Sequence, residues 1–259
     1  MYTKTYQYAN NYSQRINSGI LTTFRFELPS LRVSGSFFDA DMLALVEVLL
    51  NHINDSLSYI RRLDFSLAAK EGKHSASGKK GIRSHGAFAL SKVLQISQHI
   101  EEVFIPGNKI GSYGASAIFC AASTNPTLRT LLMRGCRIGE RGAFALVSQI
   151  LTPPENSSNG DEGNKNKKRR CCCGLKEIDL SANRIGFYGV FAIEKGLKRR
   201  LELGTGEVIE IDLEANMVFQ EVMNCVTVSS HCGFISSHTK TFHLIQKLVI
   251  PYCLLFSMV

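Results

Sequence analysis

The sequence predicts an α/β fold built from repeated strand-turn-helix units, stacked as a solenoid. Two observations carry this. Three segments, "IEEVFIPGNKIGSYGASAI" from Ile100, "LRTLLMRGCRIGERGAFAL" from Leu128 and "LKEIDLSANRIGFYGVFAI" from Leu175, align residue for residue; Leu128 follows Ile100 by 28 positions, and Leu175 follows Leu128 by 47. The longer step is the same period enlarged by an insertion, and a fixed period of this size marks a repeat architecture in which each unit buries its apolar side against its neighbours. Within each segment apolar residues first alternate, as in a half-buried strand, and then recur at helical spacing.

At the start of the chain, residues 1–30 read as a polar extension: "MYTKTYQYANNYSQRINSGI" has one early lysine and no apolar run, so neither a secretory signal nor a transmembrane start is expected there. A degenerate unit begins at Leu31, "LRVSGSFFDADMLALVEVLL"; "IRRLDFS" from Ile60 and "GIRSHGAFAL" from Gly81 form another, split by an insertion near 67–81. The three clear copies come next, the last two separated by an insertion near 152–174, and "VIEIDLEANMVF" from Val208 opens a further unit. The alternating pairs Val103 and Ile105, Leu131 and Met133, Ile178 and Leu180, Ile211 and Leu213 are assigned to the buried side of strands. The repeat region is thus 31–219, and 220–259 is an atypical tail ending in an apolar dozen from Leu248 to Val259, shorter than the ~20 residues a spanning helix needs.

These segments resemble the leucine-rich repeats of the ribonuclease-inhibitor type, whose unit has the form LxxLxLxxNxIGxxGxxAL. The resemblance implies a curved horseshoe with parallel strands inside and helices outside. Asn108, Asn183 and Asn216 fall at its asparagine position, and Cys136 takes the same place. An amide there can bond backbone groups where the chain leaves the strand, which would otherwise be buried unpaired. The paired glycines, such as Gly111 and Gly114, recur in every good copy, so they are read as turn and packing residues rather than a phosphate loop, whose spacing occurs once beside Lys-Ser or Lys-Thr.

The distribution of charge narrows the function. The net charge is +8, but four lysines against one glutamate lie between Leu67 and Gly81, and five basic residues against three acids between Thr152 and Gly174. Five of the eight excess charges therefore sit in the insertions, and nucleic acid is not the expected partner. "GKHSASGKKG" from Gly72 misses the P-loop spacing by one residue and has Lys80 where Ser or Thr would hold magnesium. "NKNKKRRCCCG" from Asn164 reads as a solvated basic loop, with a nuclear-localisation or nucleic-acid patch, a polybasic and acylated membrane contact, and zinc as successively weaker alternatives. Three adjacent cysteines form no disulfide framework, so reduced thiols and an intracellular, cytoplasmic rather than nuclear, setting are expected. No catalytic motif, cofactor site or metal site is expected.

The strand positions between the buried ones are assigned to the concave surface: Arg62, Asp64, Glu102, Phe104, Thr130, Leu132, Arg134, Glu177, Asp179, Glu210, Asp212 and Glu214. Its last two strands carry five carboxylates and no base. The expectation is a non-catalytic protein-binding module, with Glu177, Asp179, Glu210, Asp212 and Glu214 meeting a protein partner through a basic segment, and Phe104 and Arg134 as anchors. An alternative is a GTPase-activating role like that of the Ran GTPase activators, which share this repeat type. Another comes from "EVMNCVT", Glu221 to Thr227, which is similar to the start of hemolysin III and adiponectin-receptor-like membrane proteins, with Val228 in place of the family's histidine. That resemblance implies the soluble part of a truncated membrane protein, with membrane association through the tail.

Overall fold

The computed structural model describes residues 17–66, 68, 81–152, 174–202 and 209–217. The insertions and the tail, including the basic cysteine-containing loop and the Glu221–Thr227 segment, lie outside these residues. The described chain is α/β: one sheet of six parallel strands, in the order in which they occur along the sequence. The strands are β1 (Ser30–Arg32), β2 (Arg62–Asp64), β3 (Glu102–Phe104), β4 (Thr130–Leu132), β5 (Glu177–Asp179) and β6 (Glu210–Asp212). Helix α1 (Ser18–Phe26) precedes β1; α2 (Asp39–His52), α3 (Ser84–Ile96), α4 (Gly111–Thr124), α5 (Glu140–Leu146) and α6 (Phe187–Glu202) each connect one strand to the next.

Each strand is three residues long, with its middle side chain turned into the core. Leu31, Leu63, Val103, Leu131 and Ile178 are fully buried, in one cluster with Leu45, Leu90, Ile118, Leu146 and Ile193 of the helices. Parallel strands need a crossover, and these helices supply it on one side of the sheet. The register is uniform: Leu31, Leu63, Val103, Leu131, Ile178 and Ile211 stand side by side. Because side chains alternate along a strand, the residues flanking each of these turn to the opposite face, which no described helix covers.

Small residues let the helices approach. A Cβ on Gly114 would run into Ile110 and into Ala87 of α3, and one on Gly189 into Glu140 and Ala143 of α5. Neighbouring units are also stitched at their helix starts, where Asp39 Oδ1 accepts from the Arg83 amide at 2.7 Å and Ser112 Oγ from the Gly139 amide at 3.1 Å. These side chains satisfy amides that a helix N-terminus leaves without intrahelical partners. Helix α5 ends in a π-helical turn, Val147–Leu151, whose Ile150 carbonyl accepts from the buried Arg200 at 3.0 Å.

The start of the packed body differs from the sequence boundary at residue 31. Asn17 caps α1 through its Oδ1, and the same side chain bonds both the amide and the carbonyl of Ser34 beyond β1. Ile20 and Phe24 are buried in the common core. Gly19 lies so close to the Arg32 carbonyl that a Cβ would not fit. Residues 17–26 therefore belong to the folded unit, where α1 packs beside the outermost strand and covers apolar surface of the first repeat. The sequence hid this because the burial in this stretch includes polar side chains, Asn17 and Thr23, beside only two apolar ones, Ile20 and Phe24.

Candidate functional site

The turns that follow the strands hold the exposed face in shape. In four units the residue before the ladder position adopts a left-handed backbone: Gly107 (φ 70°), Gly135 (φ 66°), Ala182 (φ 53°) and Ala215 (φ 56°). This geometry is free to glycine and costs an L-residue about 1–2 kcal/mol. The next side chain holds the turn. Asn183 Oδ1 accepts from the Ile138 amide at 3.0 Å, and its Nδ2 donates to the carbonyls of Met133 and Leu180, both at 2.9 Å, and of Ser181 at 3.2 Å. Asn108 does the same between Ile82, Phe65, Ile105 and Pro106, and Asn216 between Ile185, Leu180 and Leu213.

Cys136 stands in that row and donates its thiol to the Ile105 carbonyl at 3.1 Å. Burial pushes this thiol up to about 12, so at neutral pH it keeps the proton with which it donates. A second polar row joins the helix ends to the strands: Asn125 Nδ2 donates to the Leu94 and Ser97 carbonyls, while its Oδ1 accepts from the Thr127 and Leu128 amides.

On the uncovered face the register arranges the side chains in rows running across the strands. The first row is Ser30, Arg62, Glu102, Thr130, Glu177 and Glu210; the second is Arg32, Asp64, Phe104, Leu132, Asp179 and Asp212. A third is set by the loop bonds of Gly107 to Arg134, Gly135 to Ser181 and Ala182 to Glu214. All seven residues expected to meet a partner thus lie on one face, Phe104 and Arg134 towards its centre and the five carboxylates at the β5–β6 end.

The three regions of this face differ in how their charges are used. Over β1–β3 they are closed among themselves. Arg32 Nε bonds Asp64 Oδ2 at 2.8 Å, Arg62 Nε bonds Glu102 Oε2 at 2.5 Å, and the Arg62 guanidinium lies 4.8 Å from the centre of the Phe104 ring. Asp64 is only 3% exposed. Burial alone would raise its pKa, but the hydrogen bonds from Ser66 and Arg32 and the Arg32 charge outweigh that and hold it below the ordinary carboxylate range. Asp64 is therefore a structural residue and not a contact. Arg32 is the partner that makes it so, and it lies on a degenerate unit in which the sequence assigns no residue to this face.

The centre is apolar. Phe104 and Leu132 are register partners, both partly exposed, and they offer a shallow greasy step in an otherwise polar face. At the β5–β6 end the pattern is acidic. Glu177, Glu210 and Glu214 are exposed, and among the described residues no basic side chain forms an ion pair with them. Asp179 and Asp212 are used locally, since Oδ1 of each accepts from the backbone amide two residues on, Ser181 and Glu214, both at 2.8 Å. Arg134 reaches Ser181 Oγ at 3.1 Å, so one cation borders this end in the third row and none in the first. Among the described residues, no group of three His, Cys, Asp or Glu side chains is placed to hold a metal ion, and no helix is long and apolar enough to cross a membrane.

No curated protein matches the chain in sequence. Among solved structures the chain is similar to Leiomodin-1 Actin-Binding Site 2 (ABS2), at 13% identity and a TM-score of 0.42, over 89% of this chain and 98% of that one. Residues 124–147, which hold β4, Cys136 and α5, match the family model described as Leucine Rich repeat.

Proposed function

We propose that this chain is a non-catalytic protein-interaction module: a curved, ribonuclease-inhibitor-like solenoid of leucine-rich repeats whose uncovered strand face docks a partner protein. The observation that carries the reading is the β5–β6 end of that face, where Glu177, Glu210 and Glu214 project without an ion-pair partner among the described residues, beside Asp179 and Asp212. Like charges this close repel one another, and a basic segment of a partner would relieve that repulsion on binding.

The test compares partners recovered by the intact chain, by a variant with Glu210, Asp212 and Glu214 reversed to lysine, and by one with the exposed helix-side residue Lys195 reversed to glutamate. Loss of the same partners from the first variant alone is expected. Equal recovery by all three would rule the strand face out.

A further inference from the structure

Resting on that reading, we infer the form of the partner segment: an extended stretch crossing the strands, with one large apolar side chain and two basic side chains two and four residues away from it. The apolar step and the unpaired carboxylates lie on different strands: Phe104 and Leu132 on β3 and β4, Glu177 and Asp179 on β5, and Glu210 and Asp212 followed by Glu214 on β6. Across the strands the face passes from paired charges through an apolar step to unpaired carboxylates. A segment lying along β4 would meet Thr130, Leu132 and Arg134 but no acid, and one along β5 acid alone; a segment lying across them meets the apolar step and the acid together.

The spacing follows from backbone dimensions. Neighbouring strands lie about 4.8 Å apart, so a side chain seated between Phe104 and Leu132 is about 7 Å from the β5 row position and about 12 Å from that of β6. An extended chain advances about 3.3 Å per residue, which makes these distances about two and about four residues. Residues i, i+2 and i+4 of an extended chain point to the same side. All three side chains therefore face the sheet together, the apolar one on Phe104 and Leu132 of the second row, the basic ones over β5 and β6, where a lysine's flexible four-carbon stem reaches across the step of about 7 Å to Glu177 and Glu210 in the first row. Either chain direction satisfies the spacing.

The other rows narrow the track. The Arg62 guanidinium occupies the β2 side of the Phe104 ring, which leaves the side towards Leu132 for the incoming group. Arg134 stands in the third row, so basic side chains are favoured along the first, where Thr130, Glu177 and Glu210 follow one another.

The test uses the intact chain and fluorescently labelled ten-residue peptides with Gly and Ser spacers, read by anisotropy at low and at moderate salt. The parent peptide carries leucine with lysines at +2 and +4; one comparator replaces the leucine by serine, another moves the lysines to +1 and +3. The parent should bind, and each comparator should bind about tenfold more weakly, the scale of a lost anchor. On the protein, Leu132→Ser should weaken the parent but not the serine peptide. Glu177→Lys and Glu210→Lys should weaken every lysine peptide and flatten the salt dependence, with circular dichroism unchanged.

No binding of the parent up to millimolar concentration overturns the inference, as does equal binding of parent and comparators. In that second case, binding still lost in Glu177→Lys leaves the acidic docking face standing and removes only the anchor and its spacing. Binding indifferent to Glu177→Lys and Glu210→Lys removes the proposed face itself.

Discussion

The first three strands and the last two share one backbone pattern and solve it differently. In both, the middle residue of each strand packs into the core, fully in β1–β3 and β5 and partly at Ile211 of β6, and the turns after β3, β5 and β6 are held by ladder asparagines. In the first, charges on the uncovered face pair with one another, Arg32 with Asp64 and Arg62 with Glu102, and the left-handed turn residue is Gly107. In the last two, the carboxylates have no such partners among the described residues, and the left-handed positions are Ala182 and Ala215. On the uncovered face one region is satisfied within itself. The other places alanine at the left-handed position after its strands and carries excess charge of one sign, which a basic partner would relieve.

The largest expected effect concerns what the halves have in common. Asn108→Ala and Asn183→Ala each leave buried backbone groups without bonds, and each should cost about 3 kcal/mol in urea unfolding at neutral pH. Equal costs would show that the two halves are held alike; a clear inequality would break the comparison at its base. Second comes Asp64→Asn, expected to cost about 1–2 kcal/mol by weakening charge-assisted bonds. Because the folded pKa of Asp64 is lowered, its contribution is present above the unfolded value of about 3.9 and disappears as pH falls through the folded one. The gap between wild type and Asp64→Asn should therefore close in acid, and a gap that persisted there would show that the carboxylate charge is not its source.

The third contrast is one of sign. Ala182→Gly and Ala215→Gly should stabilise by about 0.5–1 kcal/mol, since relief of the left-handed strain exceeds the extra unfolded-state entropy, while Gly107→Ala should destabilise by a similar amount. Thermal midpoints moving the same way in all three would contradict the strain argument. The smallest effect compares two glutamates of one row. Glu102→Lys breaks the pair with Arg62, whereas Glu210→Lys relieves repulsion, so denaturation midpoints should shift in opposite directions, each by less than about 1 kcal/mol and less at high salt.

Much of this was legible in the sequence because a repeat states its own register. Once Ile100, Leu128 and Leu175 are placed under one another, Val103, Leu131 and Ile178 must be equivalent, and Asn108, Cys136 and Asn183 must occupy one kind of turn. The acidic end was legible for the same reason, since Glu177, Asp179, Glu210, Asp212 and Glu214 sit at strand positions that alternate away from the core. The roles of degenerate segments were not. Helix α1 has two core residues within a polar stretch, so its pattern resembles an extension outside the fold. Arg32 lies in a unit too diverged to align with the others, so its place on the uncovered face became visible only when β1 paired with β2.

What the sequence by itself determined is the unit, its period and the two faces of each strand, because hydrophobic alternation is a local property written into consecutive residues. What only the tertiary structure decided is which charges are already spent. Asp64 and Glu102 look like Asp212 and Glu210 in sequence, and they differ because Arg32 and Arg62 stand beside the first two, within 2.8 and 2.5 Å. Whether a carboxylate is free depends on side chains 30 or more residues away, brought close by strand pairing, and no local pattern records that distance.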